Sequence, residues 1–250
     1  MLNIVVPMAG RGSRFAKEGY KDPKPLIDVN GKHMIEVVIN NLKPNCEHRF
    51  IFVCQREHVE KYDLDNVFQD NCENYEVVCI DEITEGAAIT VLKARVFINN
   101  DNPLMIANSD QWVDMDINSY LADIKQRKLD GSMLTMKADD PKWSYAKVSD
   151  NGLVTKVIEK EVISDEATVG IYNFNSGELF CEYADKMVKN DIRSNGEFYV
   201  APVYSFMADN NLKIGVYNIG EEANGMYGLG IPSDLELFLS LPHCMKATDF

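Results

Sequence analysis

Residues 1–26 read MLNIVVPMAGRGSRFAKEGYKDPKPL. Residues 3–6 form an apolar run without polar alternation, the pattern of a strand buried on both faces. Two glycines, Gly10 and Gly12, follow at once. Between residues 8 and 25 five cations (Arg11, Arg14, Lys17, Lys21, Lys24) face only Glu18 and Asp22, a local balance of +3 in a chain of net charge −14. Glycines behind a buried strand let successive backbone N–H groups converge on phosphate oxygens, and arginine adds bidentate charge. The dinucleotide pattern G-x-G-x-x-G fails, because Phe15 stands where its third glycine belongs. The P-loop pattern fails too, because no G-K-[ST] follows at the needed spacing.

Outward from this stretch, residues 50–54, 75–80 and 104–107 read as further buried strands. Met34, Val37, Val38 and Leu42 have the spacing of an amphipathic helix over 33–42. Residues 85–98 and 117–128 are helix candidates as well. Strand–helix repetition of this kind gives a mostly parallel sheet with helices on both faces. Beyond about residue 138 the pattern changes. Residues 145–149 and 153–159 flank Asp150-Asn151-Gly152 as a hairpin, 167–174 and 213–219 read as strands, and 177–189 and 197–208 as helices. Ser233 is expected to cap a last helix through 241. No linker or repeat divides the 250 residues, so one α/β domain with an antiparallel elaboration is expected.

Composition narrows the function classes. With 46% hydrophobic and 26% charged residues the chain is globular. Its acidity disfavours nucleic acid and anionic membrane as partners, and no apolar run reaches the ~18 residues of a membrane span. Residues 2–6 are too short an apolar core for a secretory leader, so a cytoplasmic protein is expected. The six cysteines (46, 54, 72, 79, 181, 244) contain no C-x-x-C pair. Most are expected to pack inside rather than bind metal or form disulfides.

Gly10-Arg11-Gly12-Ser13-Arg14, Pro23-Lys24-Pro25-Leu26 and Gly31-Lys32-His33-Met34-Ile35 together resemble the sugar-phosphate nucleotidyltransferases, the nucleoside-diphosphate-sugar pyrophosphorylases. The family signature runs G-x-G-[ST]-R, P-K-P-L and G-K-P-M-I, with His33 here in place of proline. The resemblance implies a Rossmann-like three-layer sandwich, with residues 1–138 mainly for nucleotide and 139–250 mainly for acceptor. It implies transfer of a nucleotidyl group from a nucleoside triphosphate to a phosphorylated small molecule, with Mg²⁺ as cofactor. Met8, Ala9, Gly10, Arg11, Gly12 and Ser13 would then wrap the triphosphate, and Arg14 and Lys24 would contact phosphates. Gln55 would stand near the base, and Gly86 with Ala87 against base and ribose.

The resemblance continues downstream. Asp110, at the end of the 104–107 strand, matches the metal aspartate, with Asn108 beside it expected to bind the acceptor; Asp114 and Asp116 read as solvated loop charges. Tyr145 with Glu159 and Lys160 resembles the family's "Y-G-x-V … E-K" hairpin, which places Glu159 at sugar hydroxyls and Lys160 at the acceptor phosphate. Since neighbours on a regular strand face opposite ways, Glu159-Lys160 implies a bulge or a strand end. Gly170 matches a strand glycine at the sugar, and Glu197 an acceptor-side segment. The family pattern W-x-D-x-G-T-P departs here to Met226-Tyr227-Gly228-Leu229-Gly230-Ile231-Pro232, with Gly228 where a second metal aspartate would stand. Either Asp110, phosphates and water alone hold the metal, or another carboxylate substitutes. No sequence for a β-helix acyltransferase domain follows, so a monofunctional enzyme of surface-polysaccharide precursor synthesis is expected, with self-association left open. The rivals are a cytidylyltransferase for a non-sugar phosphate such as phosphocholine, and a silent nucleotide-binding subunit.

Overall fold

The structure, a computed structural model, describes residues 1–250. Its strands are β1 (Leu2–Pro7), β2 (Asp28–Val29), β3 (Lys32–His33), β4 (His48–Gln55), β5 (Tyr75–Ile80), β6 (Leu104–Ala107), β7 (Gln111–Val113), β8 (Gly131–Lys137), β9 (Ser144–Val148), β10 (Val154–Glu159), β11 (Glu166–Phe174), β12 (Ile214–Glu222) and β13 (Gly225–Gly228). The helices are α1 (Ser13–Lys17), α2 (Met34–Leu42), α3 (Arg56–Tyr62), α4 (Leu64–Asn71), α5 (Ala87–Leu92), α6 (Arg95–Ile98), α7 (Ile117–Arg127), α8 (Gly177–Lys189), α9 (Val203–Asp209), α10 (Pro232–Ser240) and α11 (Pro242–Thr248).

One sheet runs in the order β5-β4-β1-β6-β11-β8-β12-β13-β7, with the β9–β10 hairpin branching from β11. β5, β4, β1 and β6 are mutually parallel, whereas β11 enters antiparallel between β6 and β8. Pairing of Pro7 with Val53 and of Val5 with Ile106 brings the carboxyl ends of β4, β1 and β6 to one edge. Open α/β sheets bind ligands at that edge.

Strand β1 shows why the sheet is covered twice. Val5 packs with Ala88, Val91, Phe180 and Tyr204 on one side. Ile4 and Val6 pack with Ile35, Val38, Phe68 and Tyr120 on the other. Alternate residues of a strand face opposite ways, so an all-apolar strand needs a helix layer on each face. Helices α5, α6, α8 and α9 form one layer and α2, α4 and α7 the other. A third apolar cluster joins Phe15, Met34, Trp112, Tyr227 and Phe238, fastening α1, α2 and α10 around the β7–β13 pair. This is the α/β, Rossmann-like sandwich with a mixed sheet.

Several elements differ from the sequence expectation. The stretch 85–98 is two helices, α5 and α6, separated at Lys93 and Ala94. The stretch 197–208 is helical only from Val203. The Phe198 N–H donates to Glu85 O and its carbonyl accepts from Ala88 N, so this backbone is committed to the neighbouring loop. Ser233 does not cap the last helices. Ile231 is the N-cap and Pro232, whose fixed φ suits the first helical position, starts α10. Asp116 is a capping residue, accepting from Asn118 N, and Asp114 pairs with Lys246, so neither is a freely solvated charge. Four of the six cysteines are buried, and all six are free thiols.

Candidate active site

The glycine-rich stretch leaves the carboxyl end of β1. Met8 N–H donates to Val53 O, and Met8 and Ala9 are buried, so only their backbone can face a ligand. Gln55, at the end of β4, donates from Nε2 to Ala9 O at 2.8 Å. That side-chain nitrogen therefore holds the loop; its proposed place near a base rests on Oε1. Gly12 takes φ +59°, and a Cβ there would come 3.3 Å from the Lys24 Cβ. A left-handed turn in close contact explains glycine at this position. Arg11 and Arg14 follow the bend on exposed backbone, and the ion pairs of the molecule leave both free.

The segment carrying Lys24 is a single 3-10 turn, Lys24–Leu26, packed on α2. His33, where the family pattern has proline, fastens it: Nδ1–H donates to Leu26 O at 3.0 Å, while His33 N–H donates to Glu36 at 2.7 Å. From this support the Lys24 ammonium reaches Asp110 Oδ2 at 2.7 Å. The Pro23-Lys24-Pro25-Leu26 motif and the strand-end aspartate, 86 residues apart, thus meet.

Asp110 opens onto a cleft of about 460 Å³, also lined by Arg14, Asn108, Gln111, Lys142, Trp143, Gly228, Gly230 and Asp234. Strand β13 lies beside Asp110 because Gly228 pairs with Gln111 and Leu229 N–H donates to Asp110 O. A Cβ at Gly230 would stand 2.5 Å from Asp110 Oδ2, and one at Gly228 would stand 3.1 Å from Asp234 Oδ2. The two glycines are the cradle against which two carboxylates lie. Burial raises the Asp234 pKa; Lys142 and Arg14 oppose that shift, whereas Glu222 and Asp110 add to it. The two carboxylates stand without a third His, Cys, Asp or Glu placed to hold a metal with them. Such a donor set suits Mg²⁺, which takes one or two carboxylates and completes its shell with phosphates and water.

Of the residues expected on the acceptor side, Glu159 and Glu197 come together with Lys160 at the end of the β9–β10 hairpin. β10 ends at Glu159, and Lys160 takes the left-handed conformation at φ +59°, so the strand end expected at Glu159-Lys160 is present. Glu159 accepts a hydrogen bond from Ser144. Burial raises its pKa, with Ser144 and Lys160 opposing the shift. Lys160 Nζ donates to the Tyr199 hydroxyl at 2.7 Å, and that hydroxyl donates to Glu197 at 2.8 Å. Tyr145 is fully buried and its hydroxyl donates to Asp140 O, so its side chain supports the loop instead of facing an acceptor. Gly170 lies in a β11 irregularity; a Cβ there would be 2.2 Å from Asn108 Nδ2 and 2.6 Å from Gln111 Oε1. Its space is thus filled by the side chains of Asn108 and Gln111. Gly86 is similarly explained within the protein: at φ +127° it packs against Phe198, whose O a Cβ would meet at 2.4 Å. Ala87 begins α5 directly behind it.

Gln111, Asp234, Lys142 and Tyr199 went unassigned in the sequence. Gln111 is 5% exposed and its Nε2 has no partner. Its signal is its place one residue after Asp110. The signal of Asp234 is a carboxylate four residues after Gly230, hidden when Ser233 is taken as the helix cap.

Comparisons with known proteins bear on the family and the fold. The family model described as nucleotidyl transferase matches residues 4–203. The bifunctional protein GlmU of Thermodesulfovibrio yellowstonii is 24% identical over 254 aligned residues, covering 94% of this chain and 51% of that protein. A mannose-1-phosphate guanyltransferase of Gibberella zeae is 24% identical over 194 residues, covering 70% and 50%. The chain spans about half the length of these curated relatives. Among solved structures, a nucleoside-diphosphate-sugar pyrophosphorylase of Vibrio cholerae superposes with TM-score 0.82 at 25% identity, over 95% of this chain and 100% of that one. A putative glucose-1-phosphate thymidylyltransferase of Bacillus anthracis superposes with TM-score 0.78 at 18% identity, over 100% and 96%, a likeness of fold. With four-fifths of its residues matched by the family model and the glycine-rich loop, Lys24 and Asp110 assembled at one sheet edge, the chain belongs to the nucleotidyl transferase family, among the sugar-phosphate nucleotidyltransferases.

Proposed function

We propose that the protein transfers a nucleotidyl group from a nucleoside triphosphate to a sugar phosphate, or a similar small phosphate ester, and releases pyrophosphate. The observation that carries this reading is the meeting of Lys24 with Asp110 beside the glycine-rich loop and Arg14. In the reaction an acceptor phosphate oxygen bonds to the α-phosphorus, and the bond from that phosphorus to the oxygen bridging toward the β-phosphorus breaks. The electron pair leaves with pyrophosphate. The attacking phosphate monoester is already ionised near neutral pH, so no general base is needed. The difficulty is charge, because two anions approach and more negative charge gathers at the α-phosphate.

This chain's residues answer that difficulty in named places. Backbone N–H groups of 10–13 and the Arg14 guanidinium receive the triphosphate, and Lys24 lies within reach of the same phosphates. Lys160 receives the acceptor phosphate, with Tyr199 holding its ammonium, and Glu159 receives acceptor hydroxyls. Preorganised donors of this kind stabilise the transition state without reorganising during the reaction. Asp110 would hold Mg²⁺, which when bound neutralises charge across the phosphates.

Residues 1–138 then serve mainly the nucleotide and 139–250 mainly the acceptor. The product would be an activated precursor for surface polysaccharide, made in the cytoplasm; no helix is long and apolar enough to cross a membrane. A matrix of CTP, UTP, dTTP, GTP and ATP against hexose 1-phosphates and phosphocholine, read by pyrophosphate release, tests the proposal. One productive triphosphate–acceptor pair is expected. Triphosphate binding with no turnover in any well would overturn it in favour of a silent subunit.

A further inference from the structure

Gly228 and Gly230 are two residues apart on the backbone that closes the cleft, and each faces a carboxylate oxygen. Asp110 Oδ2 fills the place of a Gly230 Cβ, and Asp234 Oδ2 lies against the place of a Gly228 Cβ. The two carboxylates arrive from different elements: Asp110 from the turn after β6, Asp234 from the first turn of α10. Asp110 has Lys24 as its partner. Asp234 accepts no hydrogen bond and makes no ion pair, although Lys142 is near, because Lys142 grips Glu222 at 2.8 and 3.1 Å. Gln111 stands in the wall of the same cleft, and its Nε2 donor is buried there without a hydrogen-bond partner. A buried amide donor without a partner costs free energy; a phosphate oxygen accompanying the cation, and not the cation itself, would satisfy it.

We infer that Asp234 is the second carboxylate of the divalent-cation site, supplied from α10 across Gly228 and not from strand β13. The inference rests on the reading of Asp110 under the proposed function. It explains glycine at 228: a side chain there would compete with the Asp234 carboxylate for one space. It also assigns a task to a first-turn aspartate that caps nothing. Two partly buried carboxylates in a cleft of a strongly acidic protein repel each other, and a hard divalent cation between them and a phosphate would remove that repulsion.

Mn²⁺ alone, titrated into the full chain and followed by the electron paramagnetic resonance signal of the free ion, tests this without catalysis. Asp234→Asn and Asp110→Asn are each expected to weaken Mn²⁺ binding by at least about tenfold. Adding Gly228→Asp to Asp234→Ser should recover most of that loss, because the shorter serine vacates the space that the new carboxylate enters. Asp234→Ser, which keeps a residue suited to a helix first turn, serves should the asparagine variant fail to fold. Unchanged Mn²⁺ binding in the Asp234 variants, with Asp110→Asn weakened, would overturn the inference and leave Asp234 as a helix-terminus charge. Unchanged binding in the Asp110 and Asp234 variants alike would overturn the metal reading of Asp110 as well.

Discussion

Lys24 and Asp110 are each only about one-quarter exposed, yet their contact opens on a cleft and so adds little to stability, on the order of 1 kcal/mol or less. Such a pair is better understood by what it holds ready than by what it holds together. If Arg14 and Asp110 compensate charge at the reacting phosphates, Arg14→Ala and Asp110→Asn should each lower turnover at least ~100-fold while the fold persists. Near-normal pyrophosphate release from either purified variant would remove that residue from the mechanism. Lys160→Ala should raise the KM for the phosphate acceptor far more than for the triphosphate; equal losses for both would show that Lys160 acts elsewhere. Glu159 adds a pH signature. Burial holds its carboxyl above the ordinary range, so the folded chain binds this proton more tightly than the unfolded one. Its stability contribution is therefore fully present below the ordinary carboxylate pKa and is lost as pH rises through the folded value. Glu159→Gln should flatten that part of the profile in thermal melts, and an unaltered slope would contradict the assignment.

Among the elements, the glycines divide by physical cause, and that division was only half legible in the sequence. The motif spacing placed Gly12, Lys24 and Asp110 correctly at one edge, because a buried strand followed by glycine has few other uses. It could not show that Gly86 and Gly170 make room for Phe198 and for Asn108 with Gln111, since those contacts join residues 112 and about 60 positions apart. Nor could it show the helix boundary at Val203, which is set by Phe198 pairing with the 85–88 turn. Gly86→Ala should destabilise the protein by about 2–4 kcal/mol, from positive φ and a clash with backbone. Gly10→Ala, with open space around its Cβ, should leave the melting temperature unchanged. Equal melting temperatures for both variants would mean that the 86–198 contact is not rigid.

For the whole molecule, the proposed function gives a reason for an acidic chain to concentrate cations in one loop: phosphates would converge there. The parallel half of the sheet was readable from its four apolar strands. The antiparallel entry of β11 between β6 and β8 was not, because strand order depends on contacts between distant segments, and β7, β8 and β13 carry no clear alternation. That entry puts the β9–β10 hairpin, which ends at Glu159, on the same sheet as the strand that leads into the glycine-rich loop. The most direct measurement supplies a triphosphate labelled at the α-phosphorus together with its productive acceptor and follows the label by mass spectrometry. The account predicts label joined to the acceptor phosphate, one pyrophosphate per product, and loss of both in Arg14→Ala. Label appearing as free nucleoside monophosphate or diphosphate, with the acceptor unchanged, would contradict it.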